Sequence, residues 1–142
     1  MQEIAIVGSK SLSRYQHVYE MTQEIIEREL SKDPETVILN GAEDGVDTMA
    51  GEIALSLGLE YEIVPLEKCK EDLCTKATKE KPYCFEHSFE PRSREIARRA
   101  DRIYRIFDEG CGQSTCEVTA RFGDQMKKPV ERIPVDLLAI AR

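Results

Sequence analysis

The sequence contains no apolar run long enough to cross a bilayer. Its first residues, Met1-Gln2-Glu3-Ile4-Ala5-Ile6-Val7, enter a strand pattern directly, without a basic stretch or a small-residue cleavage site. Both absences give the expectation of a cytoplasmic protein. Positive charge is also short, with 20 Lys and Arg against 27 Asp and Glu and a net charge of -7. That balance argues against a non-specific grip on duplex nucleic acid or an anionic membrane, so neither is an expected partner. There is no internal repeat and no low-complexity tract. At 142 residues a single domain spanning 1–142 is expected, large enough to bury a core without staples.

Strand-like and helix-like patterns alternate along the chain. Glu3 to Val7 reads as a first strand, closed by the small-residue turn Gly8-Ser9-Lys10-Ser11. Tyr15, Val18, Thr22, Ile25, Ile26 and Leu30 line one face of a helix that should stop before Pro34. Thr36 to Leu39 is a second strand, and Val46, Met49, Ala50, Ile53, Ala54 and Leu57 recur at helical spacing after it. Tyr61 to Val64 supplies a third strand. A polar stretch from Leu66 to Pro91 interrupts the pattern as an insertion or lid. Order returns with a short helix from Arg92 to Ala100, a strand from Arg102 to Phe107, a helix behind Ser114-Thr115-Cys116-Glu117 with its capping-box spacing, and a fifth strand from Pro129 to Ile133. The fold class that follows is α/β, a Rossmann-like three-layer sandwich around a five-stranded, mainly parallel sheet. The apolar tail from Val135 to Ala141 either packs back on the domain or makes a dimer contact.

The centre of this pattern is Asn40-Gly41-Ala42-Glu43-Asp44-Gly45-Val46-Asp47, a glycine-bearing turn between strand and helix. Gly41 and Gly45 permit positive φ and bring backbone N–H groups close to a guest, and the following helix points its positive end there, so an anion fits. A second reading stands beside it: the glycines close a tight turn, Asp44 caps the helix and Asp47 complements its dipole.

Five cysteines in an intracellular chain suggest free thiols, metal ligands or catalysis before disulfides. Cys84-x-x-His87 has ligand-pair spacing, and Cys69 and Cys74 lie in the same polar stretch, so four ligands for one structural zinc are at hand. The alternative is a set of free thiols in a lid. Cys111 and Cys116 read as ordinary small residues flanking the last loop, a disulfide between them being the alternative, and His17 as a surface histidine.

Three segments carry a resemblance. Val7-Gly8-Ser9-Lys10 resembles a Gly-Ser-Arg turn, Asn40 to Ala50 a Gly-Gly-Ala-x-Gly-Val-Asp-x-x-Ala loop, and Arg92-Ser93-Arg94-Glu95-Ile96 an Arg-Asn-x-x-Met/Ile segment. All three belong to the SLOG superfamily of Rossmann-like nucleotide-ligand binders, which includes the YspA-like and DNA-processing protein A families and the LOG phosphoribohydrolases. The resemblance implies a phosphorylated, nucleotide-derived small molecule such as a nucleotide or nucleotide sugar. Its implied holders are Gly8, Ser9, Lys10, Gly41, Ala42, Gly45, Asp47, Arg92, Arg94, Gly112, Ser114 and Thr115, the arginines because a guanidinium pairs two phosphate oxygens at once. Arg98, Arg99, Arg102 and Arg105 are read instead as a solvated basic face. A homodimer paired through helices is likewise implied.

The phosphoribohydrolases pair an arginine with a glutamate in a Pro-Gly-Gly-x-Gly-Thr-x-x-Glu motif. Here the glutamate's place falls on Val118, with Glu117 one residue early, a rotation of about 100° on a helix. The catalytic candidates are therefore Arg92 with Glu117 or Asp47, Glu95 being a further carboxylate. The displaced glutamate favours binding or sensing. The alternatives are an N-glycosidase acting on a nucleoside monophosphate and a zinc-supported interaction module.

Overall fold

The structure, a computed structural model, describes residues 1–70, 74–110 and 114–140. Five strands form one sheet: β1 (Gln2–Gly8), β2 (Thr36–Asn40), β3 (Glu60–Ile63), β4 (Arg102–Asp108) and β5 (Val130–Val135). Their order is β3-β2-β1-β4-β5 and every pairing is parallel. The helices are α1 (Gln16–Lys32), α2 (Val46–Ser56), α3 (Glu90–Arg99), α4 (Thr115–Gln125) and the short α5 (Leu137–Ile140), with a 3-10 turn at Lys10–Leu12 and a π-helical turn at Phe85–Phe89.

The continuous apolar run Ile4-Ala5-Ile6-Val7 is buried throughout, because β1 is covered on both faces. Alternate side chains serve two cores. Ile4, Ile6, Tyr104 and Ile106 pack with Val18 and Ile26 of α1 and Ile53 of α2. Ala5, Val7, Leu39 and Ile103 pack on the other face with Ile96 and Ala97 of α3 and Cys116 of α4. The three layers follow from that division. Edge strand β3 carries Glu60 and Glu62, and edge strand β5 carries Pro134, both devices that discourage further pairing.

The chain winds from β1 outward to β3, then returns to pair β4 on the far side of β1. Loops leaving the carboxyl ends of β1 and β4 therefore diverge, and a crevice opens where ligands of open α/β sheets bind.

Some boundaries differ from the sequence reading. β5 runs on to Val135, and Leu137 and Ile140 of the tail pack against the α1/α2 core while Leu138 stays exposed. The irregular stretch ends at Cys84. Residues 85–91, expected within the insertion, are already helical: Phe85–Phe89 leads into α3, and Glu90 and Pro91 open it, where the missing proline N–H costs nothing. Among the described residues no helix is long and apolar enough to cross a membrane.

Candidate functional site

Asp47 lies in the first turn of α2 with its side chain turned inward, and it organises the two glycine turns. Its Oδ1 accepts from the Gly8 N–H at 3.2 Å, and its Oδ2 from Gly41 at 3.1 Å and Glu43 at 3.4 Å. Asn40 completes the knot. Its Nδ2 donates to the Ile6 and Asp47 carbonyls, while its Oδ1 accepts from the Ala42 N–H and the Tyr61 hydroxyl. The Ser9 N–H donates to the Ile106 carbonyl at 3.1 Å. The amides of Gly8, Ser9, Gly41 and Ala42, read from sequence as ligand donors, are thus engaged within the protein.

The glycines answer to close packing. A Cβ on Gly8 would stand 2.2 Å from the Ile106 carbonyl oxygen. One on Gly45, at φ +99°, would stand 2.4 Å from the Ser9 carbonyl oxygen. Gly45 itself occupies the cap position of α2, so Asp44 does not cap it. Burial first, and the negative charge of Glu43 second, push the Asp47 carboxyl up to about 7, against the pull of the amides it accepts from.

Arg92, on the first turn of α3, is buried and crosses to the Asn40–Asp47 loop. It pairs with Glu43, donates to the Gly41 carbonyl at 3.3 Å, and lies 5.4 Å from the centre of the Phe89 ring. Thr115 Oγ1 donates to the other Glu43 oxygen at 2.9 Å. Glu43 therefore joins α3 to α4 across the carboxyl edge, above a pocket of about 10 Å³ lined by Asp47, Arg92 and Cys116, room for roughly one water. No sequence reading singled out Glu43. The only local signal was its place inside the glycine loop.

Beside this bridge lies a cleft of about 890 Å³, bordered by Lys10, Arg14, Glu43, Asp44, Thr48 and Thr115, so that two cations and two carboxylates face it. The first turns of α2 and α4 face into it. Lys10 and Arg14 are exposed there, and among the described residues neither has an ion-pair partner. Arg14 is a second residue that the sequence reading passed over.

Other expected residues stand elsewhere. Arg94 pairs with Glu90 at 3.1 Å and covers the Phe122 ring, outside the cleft. Glu117 is held by Arg105 at 2.7 Å and by both forks of Arg132, so it is turned away from Arg92. The capping box does not form, because Ser114 makes no side-chain cap and its hydroxyl meets Cys116 Sγ at 2.8 Å instead. Arg105, expected on a solvated face, is buried, with its Nε on Cys116 Sγ and its guanidinium over Phe107. Glu95 pairs with Arg98, which holds its carboxyl below the ordinary value. Gly112 and Cys111 lie outside the described residues.

Cys69, Cys74, Cys84 and His87 converge, with one ligand atom from each lying within 4.8 Å of every other. Cys84 Sγ lies 3.5 Å from Cys69 Sγ, 3.7 Å from Cys74 Sγ and 3.3 Å from His87 Nδ1. A tetrahedral zinc with Zn–S bonds of about 2.3 Å has edges of about 3.8 Å, so this donor set fits the ion in number, softness and spacing. Burial raises the Cys74 thiol, but hydrogen bonds from His87, the Lys76 amide, Cys84 and the Ala77 amide outweigh it and lower the thiol to about 6. Cys84 receives the His87 amide yet is raised by burial and its two thiol neighbours.

No family model matches the chain, and no curated protein matches its sequence. Solved structures do match its shape. DNA processing protein A (DprA) from Streptococcus pneumoniae superposes with a TM-score of 0.69 at 24% identity, over 99% of this chain and 53% of that one. TM1055, a structural-genomics target, superposes with a TM-score of 0.62 at 20% identity, over 92% of this chain and 72% of that one. The chain therefore spans about half the length of DprA. With its switch point between β1 and β4 and these two likenesses, the chain has a Rossmann-like fold, shared with DprA and TM1055.

Proposed function

We propose that the cleft binds a phosphorylated, nucleotide-derived small molecule, and that the protein senses or carries it. The observation behind this reading is the meeting of Lys10 and Arg14, both without ion-pair partners among the described residues, with the first turns of α2 and α4 around one cleft. Cations and helix N-termini together recognise a phosphate. The test is melting temperature with a panel of nucleoside monophosphates, ADP-ribose and NAD, each mixture then analysed by chromatography for released base. A ligand at a hundred times its Kd stabilises by about 2.7 kcal/mol, a readily measured shift. Stabilisation lost in Lys10→Ala and Arg14→Ala, with no base released, is the expected result; a panel without any shift overturns the reading.

A second reading rests on Glu43. An arginine and a carboxylate beside Thr115 are the pair that N-glycosidic cleavage needs, one to hold phosphate and one to act on the sugar. Base release that disappears in both Arg92→Ala and Glu43→Gln would establish it.

The Cys69, Cys74, Cys84 and His87 group holds a structural zinc in this proposal. The described part of the irregular stretch has as its core only three sulfurs and Ala77. Ordering costs about 1 kcal/mol or more per residue, which so small a core does not offset and a bound ion does. One zinc per chain by elemental analysis, and thiolate charge-transfer bands on cobalt substitution, are expected. Absence of metal from protein purified under reducing conditions refutes it.

A further inference from the structure

The candidate metal centre and the Arg92–Glu43 bridge beside the cleft share one short piece of backbone. Cys84 Sγ accepts from the His87 N–H at 3.3 Å, so a ligand sulfur also caps the π-helical turn that leads into α3. The N–H groups of Ser88 and Phe89 both donate to the Cys84 carbonyl, at 3.0 and 3.2 Å. The buried Ser88 hydroxyl accepts from the Cys84 N–H at 3.3 Å and meets Cys69 Sγ at 3.4 Å. Phe89, the next residue, carries the ring beside the Arg92 guanidinium. The rest of α3 is anchored differently, through Ile96 and Ala97 in the core beneath the sheet. Arg92 thus stands at the junction between a core-anchored helix and a turn anchored by the four ligands.

We propose that metal occupancy at Cys69, Cys74, Cys84 and His87 keeps the Arg92 bridge to the loop Asn40–Asp47 sealed from water, so that this flank of the cleft is fully ordered only in the metal-loaded protein. This rests on the zinc reading above and not on the identity of the ligand. With the ion removed, the sulfurs lose their common partner and the turn loses its cap. Its orphaned N–H groups turn to water, and Phe89 leaves the guanidinium. Arg92 then keeps Glu43 and the Gly41 carbonyl as partners but loses the surface that excludes water from them.

The experiment is hydrogen exchange read by mass spectrometry on the full chain under reducing conditions. Three states are compared: zinc-loaded, stripped with a membrane-impermeant zinc chelator, and reloaded with zinc alone, with metal content measured on each. The expected result is faster exchange after stripping in peptides spanning 66–89 and also in those covering 41–45 and 90–94, with β1 and β4 unchanged, and full recovery on reloading. Exchange that rises in 66–89 but stays constant at 41–45 overturns the proposal. Exchange that spreads to β1 and β4 also overturns it, since the metal would then staple the whole fold. A second variant, Phe89→Ala, is expected to keep one zinc and the protection of 66–84 while exchanging faster at 41–45; unchanged protection there counts against the coupling. Failure of the ligand reading is distinguishable, because AMP then leaves melting temperature unmoved in the loaded protein whatever the exchange pattern.

Discussion

Glu117→Gln separates scaffold from site. In the phosphoribohydrolase-like reading a glutamate near this position is catalytic, whereas here Glu117 takes two hydrogen bonds from Arg132, at 3.2 and 3.1 Å, and pairs with Arg105 at 2.7 Å. Glutamine keeps the shape, cancels the charge and turns an NH₂ group toward guanidinium donors. Breaking a fully buried pair from one side costs about 3–5 kcal/mol, because the other charge stays behind. Arg105 is 8% exposed, but Arg132 is 32% exposed and water reaches it, so the cost falls to the bottom of that range or below it and about 2–3 kcal/mol is expected. Urea denaturation at neutral pH reads this as a lower midpoint with an unchanged slope. The double variant with Arg105→Met removes the stranded charge and should recover part of the loss, giving a coupling energy of about 1–3 kcal/mol. A stability change under about 0.5 kcal/mol, accompanied by loss of nucleotide stabilisation, would refute the reasoning and return Glu117 to the site.

Three further outcomes follow from the glycine turns. Gly45→Ala puts a Cβ 2.4 Å from the Ser9 carbonyl oxygen at φ +99°, and about 2–4 kcal/mol of destabilisation is expected by equilibrium unfolding. Gly41→Ala brings a Cβ to 2.8 Å from Cζ of Arg92, a buried guanidinium paired with Glu43, so melting temperature should fall and AMP stabilisation with it. The Asp47 carboxyl, raised from 3.8 to about 7, holds its proton in the fold after the unfolded chain has released it. Its contribution is therefore fully present below about pH 3.8 and lost as pH rises through about 7. The stability of the wild type relative to Asp47→Asn should fall across that window by up to about 4 kcal/mol, a limit set by 1.36 kcal/mol per unit. A flat difference would mean that Asp47 stays ionised throughout.

The fold was legible because its signals are local. Ile4 to Val7, Thr36 to Leu39 and the helical spacing from Val46 to Leu57 each announce an element within one short window, and all three occur as read. The site was legible only in part, since its decisive contacts are long-range. Glu43 meets Arg92 and Thr115 at separations of 49 and 72 positions, and no local pattern marks such partners. Arg105 looked solvated because it sits among other arginines in sequence. Its strand carries it instead beneath α4, where Glu117 and Cys116 receive it. The Cys69, Cys74, Cys84 and His87 group was visible because cysteine is rare enough for spacing to carry meaning, and the structure brings all four together.

The glycine loop invites a reading that its own chemistry limits. A run of backbone amides ahead of a helix is an anion site only while no anion of the protein occupies it. Here the Asp47 carboxyl fills that place, taking the amides of Gly8, Gly41 and Glu43 in the first turn of α2. A phosphate in the cleft must then be met chiefly by Lys10, Arg14 and the start of α4, whose own acidic residue, Glu117, is neutralised by arginines on its far side. Recognition by side chains rather than amides carries a distinct signature. Lys10→Glu should abolish AMP stabilisation outright, and raising salt should weaken it steeply in the wild type, because exposed cations are screened within a Debye length of about 8 Å at physiological ionic strength. Binding that is insensitive to both would mean that Asp47 releases the loop amides when the ligand arrives, and that the carboxylate is the ligand's placeholder.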